Sequence, residues 1–236
     1  MLTQTTAADL VHLLGLEHPP IAITFLDEIS DDGVPRFDAP MSEPTEDGRS
    51  GRAPAPCAFW MHAHERTFDT VAEDHGNCSV GRFTHGFAEP ADIMDKSDVA
   101  ALLDVGWVTL KAFAGVAALS WRPAGVRYGP MAESSSKPDV VLLRVTPRQM
   151  MEINDAVTVE WSGKPQCQIL PRAAEAGVIA ASMGCALSRA RTGMGDDELT
   201  VAVPGGRVDE LVDRLREVCR ADEAVVGYAR EDLTRF

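Results

Sequence analysis

The sequence predicts an α/β fold, with α+β as the alternative, in which helices pack around a mixed β-sheet. The main observation is a pattern that occurs twice: an apolar strand, a proline and then an amphipathic helix. The first unit has a strand at Asp139–Val145 and a helix at Pro147–Val157, and the second has a strand at Leu199–Val203 and a helix at Pro204–Cys219. These two related units form the predicted framework of the fold.

The N-terminal region predicts one helix and one strand. Thr6–Leu16 has apolar residues on one helical face, and Thr6 and Asp9 are spaced as a capping box. Two prolines end this helix. The apolar run Ile21–Leu26 that follows has strand character.

A polar segment, Asp27–Pro56, interrupts the predicted core. It contains eight acidic residues and five prolines, and apolar residues are few. A structureless loop of this length is uncommon inside a compact domain and usually forms a lid over a site or a disordered insertion. The sequence leaves these two alternatives open.

The middle of the chain predicts a helix at Cys57–His64 and a strand at Thr67–Ala72. A polar turn then leads into Cys78, which is expected to open a helix. A thiol at a helix N-terminus is favoured as a thiolate, because the unpaired N–H groups and the helix dipole stabilise negative charge. Ser97–Leu103 and Val105–Ser120 are helical or mixed apolar segments.

Charge and composition limit the classes of partner. The formal net charge is −14 and the acidic residues are spread along the chain, so nucleic acid and anionic membrane are not expected to bind. The longest apolar runs are shorter than the ~20 residues of a membrane helix. The N-terminal region has no Lys or Arg before Arg36, so a cytoplasmic location is expected.

Five cysteines and no export signal argue against a disulfide framework. Cys219 follows the apolar face of its helix and is expected to be a core residue. The other four each lie beside a glycine or proline or at an element boundary: Cys57, Cys78, Cys167 and Cys185. No pair has the Cys-x-x-Cys spacing of common metal sites, so spacing alone leaves both plain burial and thiolate chemistry open.

Among the histidines, His75 and His85 are the better site candidates, because they flank Cys78. The alternative is that they are solvated loop residues. His62 and His64 lie two residues apart on a predicted helix and cannot both face one ion.

Several segments carry a family resemblance in order along the chain: PIAITFL, PCAFWMHA, NCSVGRF, KPDVVLLRVTPRQMMEINDAV and GCALSRARTGMGDDELTVAVPGGRVDELVDRL. They resemble a family known only as DUF169, a domain of unknown function. The similarity covers nearly the whole chain, and 27–56 is the least family-like part. The resemblance therefore implies a single domain over residues 1–236.

The resemblance also implies a site. The recurrent cysteines of the family match Cys57, Cys78 and Cys185 and, in a less distinctive context, Cys167. Such a set in a cytoplasmic protein is similar to an iron–sulfur site, here expected to hold a [4Fe–4S] cluster. Three ligands would leave one iron open to a substrate, whereas a fourth from Cys167 would favour electron transfer. We expect three ligands, with Cys167 beside the cluster or as the fourth.

Two further residues are candidates for chemistry. Arg189 lies one helical turn after Cys185 and could reach an anionic substrate or the cluster. The alternative is a local charge network with Asp196, Asp197 or Glu198, which is also the expected role of Arg191. His75 is the second catalytic candidate.

The leading hypothesis is an iron–sulfur enzyme, of lyase, desulfurase or oxidoreductase type, that acts on a small polar molecule. One alternative is a zinc-binding or metal-free binding module. A second alternative is an electron-transfer protein with four cysteine ligands and a redox partner. A homodimer is compatible with each of these hypotheses.

Overall fold

The computed structural model describes residues 2–38, 55–192 and 194–233. Residues 39–54, most of the predicted lid or insertion, lie outside the described residues. In the described chain, seven strands form one mixed sheet: β1 (Ile21–Leu26), β2 (Phe68–Thr70), β3 (Gly125–Pro130), β4 (Val140–Val145), β5 (Glu160–Ser162), β6 (Ala180–Ser182) and β7 (Leu199–Pro204).

The helices of the described residues surround this sheet. They are α1 (Leu2–Leu14), α2 (Pro56–His62), α3 (Ser79–Thr84), α4 (Pro90–Met94), α5 (Ser97–Asp104), α6 (Leu110–Phe113), α7 (Pro147–Ala156), α8 (Ile169–Ala176), α9 (Ala186–Thr192) and α10 (Val208–Asp232). Short 3₁₀ turns lie at Ala72–His75, Met131–Glu133, Gln166–Gln168 and Gly205–Arg207.

The two predicted strand-proline-helix units are confirmed and lie at the centre of the sheet. The strand order is β2-β3-β1-β4-β7-β6-β5, and all neighbours are antiparallel except the parallel pair β5 and β6. β4 and β7 pair along their full length, from Val140 opposite Pro204 to Val145 opposite Leu199. The α/β prediction with a mixed sheet is therefore correct.

Both faces of the sheet are buried. On β4, Val141 and Leu143 pack with α1, α7 and α10, whereas Val140 and Leu142 pack with α2 and α8. Alternate residues of a strand point to opposite faces, which is why the four residues from Val140 to Leu143 are all apolar. The sheet is thus the middle layer, and Cys57 and Cys167 belong to the α2 and α8 side.

A separate small apolar cluster joins α3 to α6. Val80, Ile93, Val99 and Phe113 form its buried centre, and Cys78 packs against it. Only Leu110–Phe113 of the predicted segment Val105–Ser120 is helical. α3 joins this cluster to the rest of the protein, because it contacts both α2 and the 3₁₀ turn Ala72–His75.

The start of the chain differs from the prediction. The first helix begins at Leu2, so Thr6 lies inside it and cannot be its N-cap. Its hydroxyl instead donates to the Asp209 carboxylate of α10 at 3.2 Å. The tertiary contact with α10 explains why the local capping pattern was misleading.

The first part of the polar segment is described and packs on the sheet edge. The backbone of Phe37 donates to Asp69 of β2 at 2.8 Å, and Asp69 donates to Pro35 at 2.9 Å. The Phe37 ring packs against Phe59 at 4.8 Å between ring centres. Within the described residues, no helix has the length and apolar character needed to cross a membrane.

Candidate functional site

Cys57 lies in the first turn of α2, directly after Pro56. Proline suits this position because its nitrogen has no hydrogen that would be left unpaired. Phe59 and Trp60 of the same helix are buried in the core and hold the helix in place. Cys57 is half-buried and packs against that core.

Cys78 is the N-cap residue of α3, as the sequence predicts. Its backbone is extended, and its Sγ accepts a hydrogen bond from the Gly81 backbone N at 3.4 Å. The Asp98 carboxylate of α5 accepts from the backbone N of Ser79 at 2.9 Å and from its hydroxyl at 2.7 Å. These bonds fix the first turn of α3 and the position of the thiol.

Cys167 lies on the 3₁₀ turn Gln166–Gln168, which leads into α8, and is buried. Burial raises the pKa of its thiol well above the ordinary value, and negative charge on Cys78, Cys57 or Cys185 raises this pKa further. A hydrogen bond with Thr84 of α3 lowers it. The other three thiols therefore lie within electrostatic range of Cys167.

Cys185 directly precedes α9, and its carbonyl accepts from the Arg189 backbone N at 3.0 Å. The preceding Gly184 has a φ of 98°, a left-handed conformation that favours glycine. The Arg189 side chain lies over this glycine, where an added Cβ would be 3.0 Å from a guanidinium nitrogen. Arg189 and Gly184 together shape the turn that presents Cys185.

The structure thus brings the four predicted cysteines into one region from four separate elements. All four lie at the start of a helical segment: Cys57 in α2, Cys78 before α3, Cys167 before α8 and Cys185 before α9. α2 contacts both α3 and α9, and α3 contacts the turn of Cys167. None of the five cysteines forms a disulfide.

The side chains of this region are not arranged around the position of a single metal ion. Within the described ranges, no group of three or more His, Cys, Asp or Glu side chains is arranged to hold one metal ion. The ligands of a four-iron cluster bind different iron atoms and are spaced more widely than the ligands of a single ion.

His75 is buried beside this region, so the alternative of a solvated loop residue is wrong. The Thr70 hydroxyl donates to the Val126 carbonyl at 3.0 Å and must therefore accept from Nε2 of His75, also at 3.0 Å. This assigns the proton to Nε2 and leaves Nδ1 as a buried acceptor with no partner among the described residues. Burial lowers the pKa of His75 well below its ordinary value, and the nearby His85 and Arg82 charges lower this pKa further.

His85 is also buried, and its ring centre is 5.1 Å from that of His75. Its Nδ1 donates to the Gly81 carbonyl at 2.8 Å and lies 3.1 Å from the Thr84 hydroxyl. Its Nε2 is therefore a second buried acceptor that has no partner in the described chain. Burial lowers the pKa of His85 to about 4, while the hydrogen bond to Gly81 raises this pKa. The two rings are thus a neutral pair at neutral pH.

Three buried polar residues at the site were not found by sequence reasoning. Thr84 contacts both His85 and Cys167 and joins the histidine pair to the cysteines.

Tyr128 of β3 is buried, and its hydroxyl has no described partner. Burial raises the pKa of Tyr128 well above its ordinary value, and negative charge on Cys167 and Cys57 raises this pKa further. The buried Gln166 donates to the Ser188 hydroxyl of α9 at 2.7 Å, but its Oε1 has no described partner.

The sequence carries no signal that separates these residues from ordinary core residues. A tyrosine or threonine in an apolar segment is common in a packed interior. Only the tertiary contacts show that Thr84 and Tyr128 lie close to the cysteines.

A groove of about 530 Å³ opens between α7 and the start of α9. Met183 and Arg189, which flank Cys185 in sequence, line it together with the exposed side chains of Met151 and Trp161. Three consecutive acids, Asp196 to Glu198, complete one side. Among the described residues, no cysteine lines this groove, and Met150 places it on the α7 side of the sheet, so Arg189 connects it with the Cys185 turn.

The Arg189 guanidinium mainly binds backbone. It donates to the carbonyls of Met183 and Glu198, both at 2.9 Å, and its second terminal nitrogen is buried with no described partner. The Glu198 carboxylate instead binds Arg144 through both oxygens and accepts from the Gly195 backbone N at 2.7 Å. Glu198 therefore holds the turn between Gly195 and Glu198 in place, and the charged partner of its carboxylate is Arg144 rather than Arg189. The Arg191 side chain lies outside the described atoms.

Comparisons with known proteins agree with the resemblance read from the sequence. The family model of DUF169, described as an uncharacterised ArCR family, matches residues 9–214. Comparison with curated proteins and with solved structures finds no match.

Proposed function

Because the chain belongs to the DUF169 family, whose function is unknown, we propose a function from the cysteine region itself. The protein binds a [4Fe–4S] cluster through Cys57, Cys78 and Cys185 and acts as an enzyme on a small polar substrate. The observation that carries this proposal is the convergence of four cysteines from four separate elements around Cys167.

The chemistry of the donor set supports a cluster. Thiolates are the usual ligands of iron–sulfur clusters. A cluster held by thiolates brings several negative charges together, and helix N-termini offset negative charge through their unpaired N–H groups. All four cysteines lie at such positions.

Differences in burial support three ligands rather than four. Cys57, Cys78 and Cys185 are half-buried, whereas Cys167 is buried. The raised pKa of Cys167, which is caused first by burial, favours a neutral thiol and outweighs the hydrogen bond with Thr84, which lowers the pKa. A cluster held by these three cysteines, Cys57, Cys78 and Cys185, would keep one iron without a cysteine ligand.

When bound, an iron with no cysteine ligand supplies a Lewis acid that can polarise an oxygen or sulfur atom of a substrate. The protein supplies the surrounding groups. The buried acceptor Nδ1 makes His75 the candidate proton acceptor, because this ring is neutral and its other nitrogen is held by Thr70. The unpartnered nitrogen of Arg189 is the candidate donor to an anionic group in the groove.

Electron transfer is the second candidate function, and the position of Cys167 favours it. A thiol within electrostatic range of the other three could become a fourth ligand and close the cluster to substrates. A small redox protein would then be the expected partner.

Anaerobic purification followed by iron and acid-labile sulfide analysis and electron paramagnetic resonance tests the proposal. We expect a brown protein with close to four iron and four sulfide per chain, about the content of one cubane. Replacing any of the three proposed ligands should abolish this iron and sulfide content, in the variants Cys57→Ala, Cys78→Ala and Cys185→Ala. The control Cys219→Ala should retain the iron and sulfide. A colourless protein with no iron after anaerobic reconstitution, or stoichiometric zinc in cells supplied with iron, would overturn the proposal.

A further inference from the structure

The last helix continues beyond the body of the protein. Leu211 and Leu215 of α10 are fully buried, whereas the residues from Glu223 to Glu231 are all exposed. A rise of about 1.5 Å per residue makes the exposed part, here called the α10 tip (Glu223–Leu233), roughly 15 Å long. The family match ends at residue 214, before the tip begins.

The tip continues the apolar face of the buried part of the helix. Val226 lies about three turns after Leu215, and Leu233 lies about two turns after Val226, so all three fall on one face. Leu215 is 0% exposed, but Val226 is 42% and Leu233 is 81% exposed. Val225 beside this face is 64% exposed. An apolar face of this kind is costly in water unless another surface covers it.

The edge of this face carries one acidic and one basic residue, which can pair with the same two residues of a second copy. Glu223 precedes Val226 by three residues and Arg230 follows it by four, so at about 100° per residue both lie on the same side of Val226. When two copies cross antiparallel at Val226, Glu223 of one chain lies opposite Arg230 of the other, and the two-fold symmetry makes this pair twice. In a parallel pair the two-fold axis runs along the helices and places these residues of the two chains on opposite sides of the contact, so Glu223 and Arg230 would not meet.

From this geometry we infer that the α10 tip is a homodimer interface, in which two copies cross antiparallel at Val226. Ala229 beside Val226 is small and allows the two helices to approach closely. The tips alone bury less surface than the roughly 1,200 Å² of a stable specific interface. The dimer is therefore expected to dissociate on dilution.

Sedimentation velocity of the full chain over a range of concentrations tests this inference. The wild-type protein should shift from monomer to dimer as concentration rises. Glu223→Arg and Arg230→Glu each replace two attractive contacts with two repulsive ones, so each should raise the dissociation constant by about tenfold or more. Val226→Arg should abolish the dimer.

Mixing the two charge variants is the decisive measurement. The Glu223→Arg chain then carries two arginines at the contact and the Arg230→Glu chain carries two glutamates. The mixture should therefore form a heterodimer at concentrations where each variant alone is mostly monomeric. Ala224→Arg, on the opposite face of the same exposed tip, is the matched control and should dimerise as the wild type does.

A wild-type protein that stays monomeric at its highest soluble concentration would overturn the inference. A dimer that both charge variants retain, or that the control loses, would also overturn it. The exposed tip is remote from the buried core, so unchanged thermal unfolding will show that each variant is folded.

Discussion

Gly81 of α3 lies directly against Pro56 of α2. A Cβ added at Gly81 would be 2.8 Å from two ring carbons of Pro56 and 3.4 Å from the Cys78 sulfur. This contact joins the helix ends that carry Cys57 and Cys78. The absence of a side chain at Gly81 therefore sets the separation of two proposed cluster ligands.

Gly81→Ala is expected to push the two helix ends apart. The proline ring cannot move away by changing rotamer, so the backbone must shift, at a cost of about 1–3 kcal/mol in the free energy of unfolding. We also expect a lower iron content after anaerobic reconstitution. Urea unfolding and iron analysis measure the two effects. Gly163→Ala is the control, because no atom lies within 4 Å of an added Cβ there; equal results for both variants would contradict the prediction.

Cys167→Ala separates the two proposed functions. If Cys57, Cys78 and Cys185 hold the cluster, the variant should retain most of its iron and sulfide, because Cys167 is then a buried neighbour. If Cys167 is the fourth ligand, the variant should lose the cluster or change its electron paramagnetic resonance signal. Wild-type iron content in this variant would argue against a four-cysteine electron carrier.

The framework of the fold could be predicted because its signals are local. β4 and β7 are apolar runs followed by a proline and an amphipathic helix, and both units formed as expected. The N-cap position of Cys78 was also readable, since a polar turn precedes a short helix. The order of the strands depends on long-range pairing and was not predicted.

The residues that surround the cysteines could not be predicted either, because they come together only through long-range contacts. His75 stands in the polar run EDHGN, which is typical of a solvated turn. Its burial depends on α3 and on the Phe59 and Phe87 rings, which pack against it from distant parts of the chain. Similarly, Thr84 becomes a contact of Cys167 only when α3 and the turn before α8 meet.

Arg189→Gln tests whether this side chain shapes the Cys185 turn. The two hydrogen bonds to the carbonyls of Met183 and Glu198 are charge-assisted, and the one to Glu198 is partly shielded from water. Their loss should lower the free energy of unfolding by about 1–2 kcal/mol. Both bonds come from one nitrogen, Nη2, and an ammonium also carries several donors on one nitrogen, so Arg189→Lys should restore part of the loss.

Urea unfolding measures this effect, with Arg207→Gln as the control. Arg207 pairs with Glu210 on the exposed surface, so its loss should cost no more than about 1 kcal/mol. An unchanged stability of Arg189→Gln would mean that the guanidinium is not needed for the turn.

His85 should make the stability of the protein depend on pH in a defined direction. Burial lowers the pKa of His85 to about 4 in the folded protein, from the ordinary value of 6.5. Between these two pH values the unfolded chain binds a proton that the folded chain does not. Stability is therefore fully present above about pH 6.5 and falls as the pH is lowered toward about 4, by up to about 1.4 kcal/mol per pH unit for this one histidine.

His85→Gln removes this titration while its side-chain amide can still donate to the Gly81 carbonyl. We expect the variant to lose about one proton from the pH dependence of unfolding between pH 6 and 5, whatever its absolute stability. Urea unfolding at several pH values measures the slope. His12→Gln, at an exposed position of α1, is the matched control for removal of a histidine. A wild-type slope in His85→Gln would show that His85 is not the buried neutral ring inferred from its hydrogen bonds.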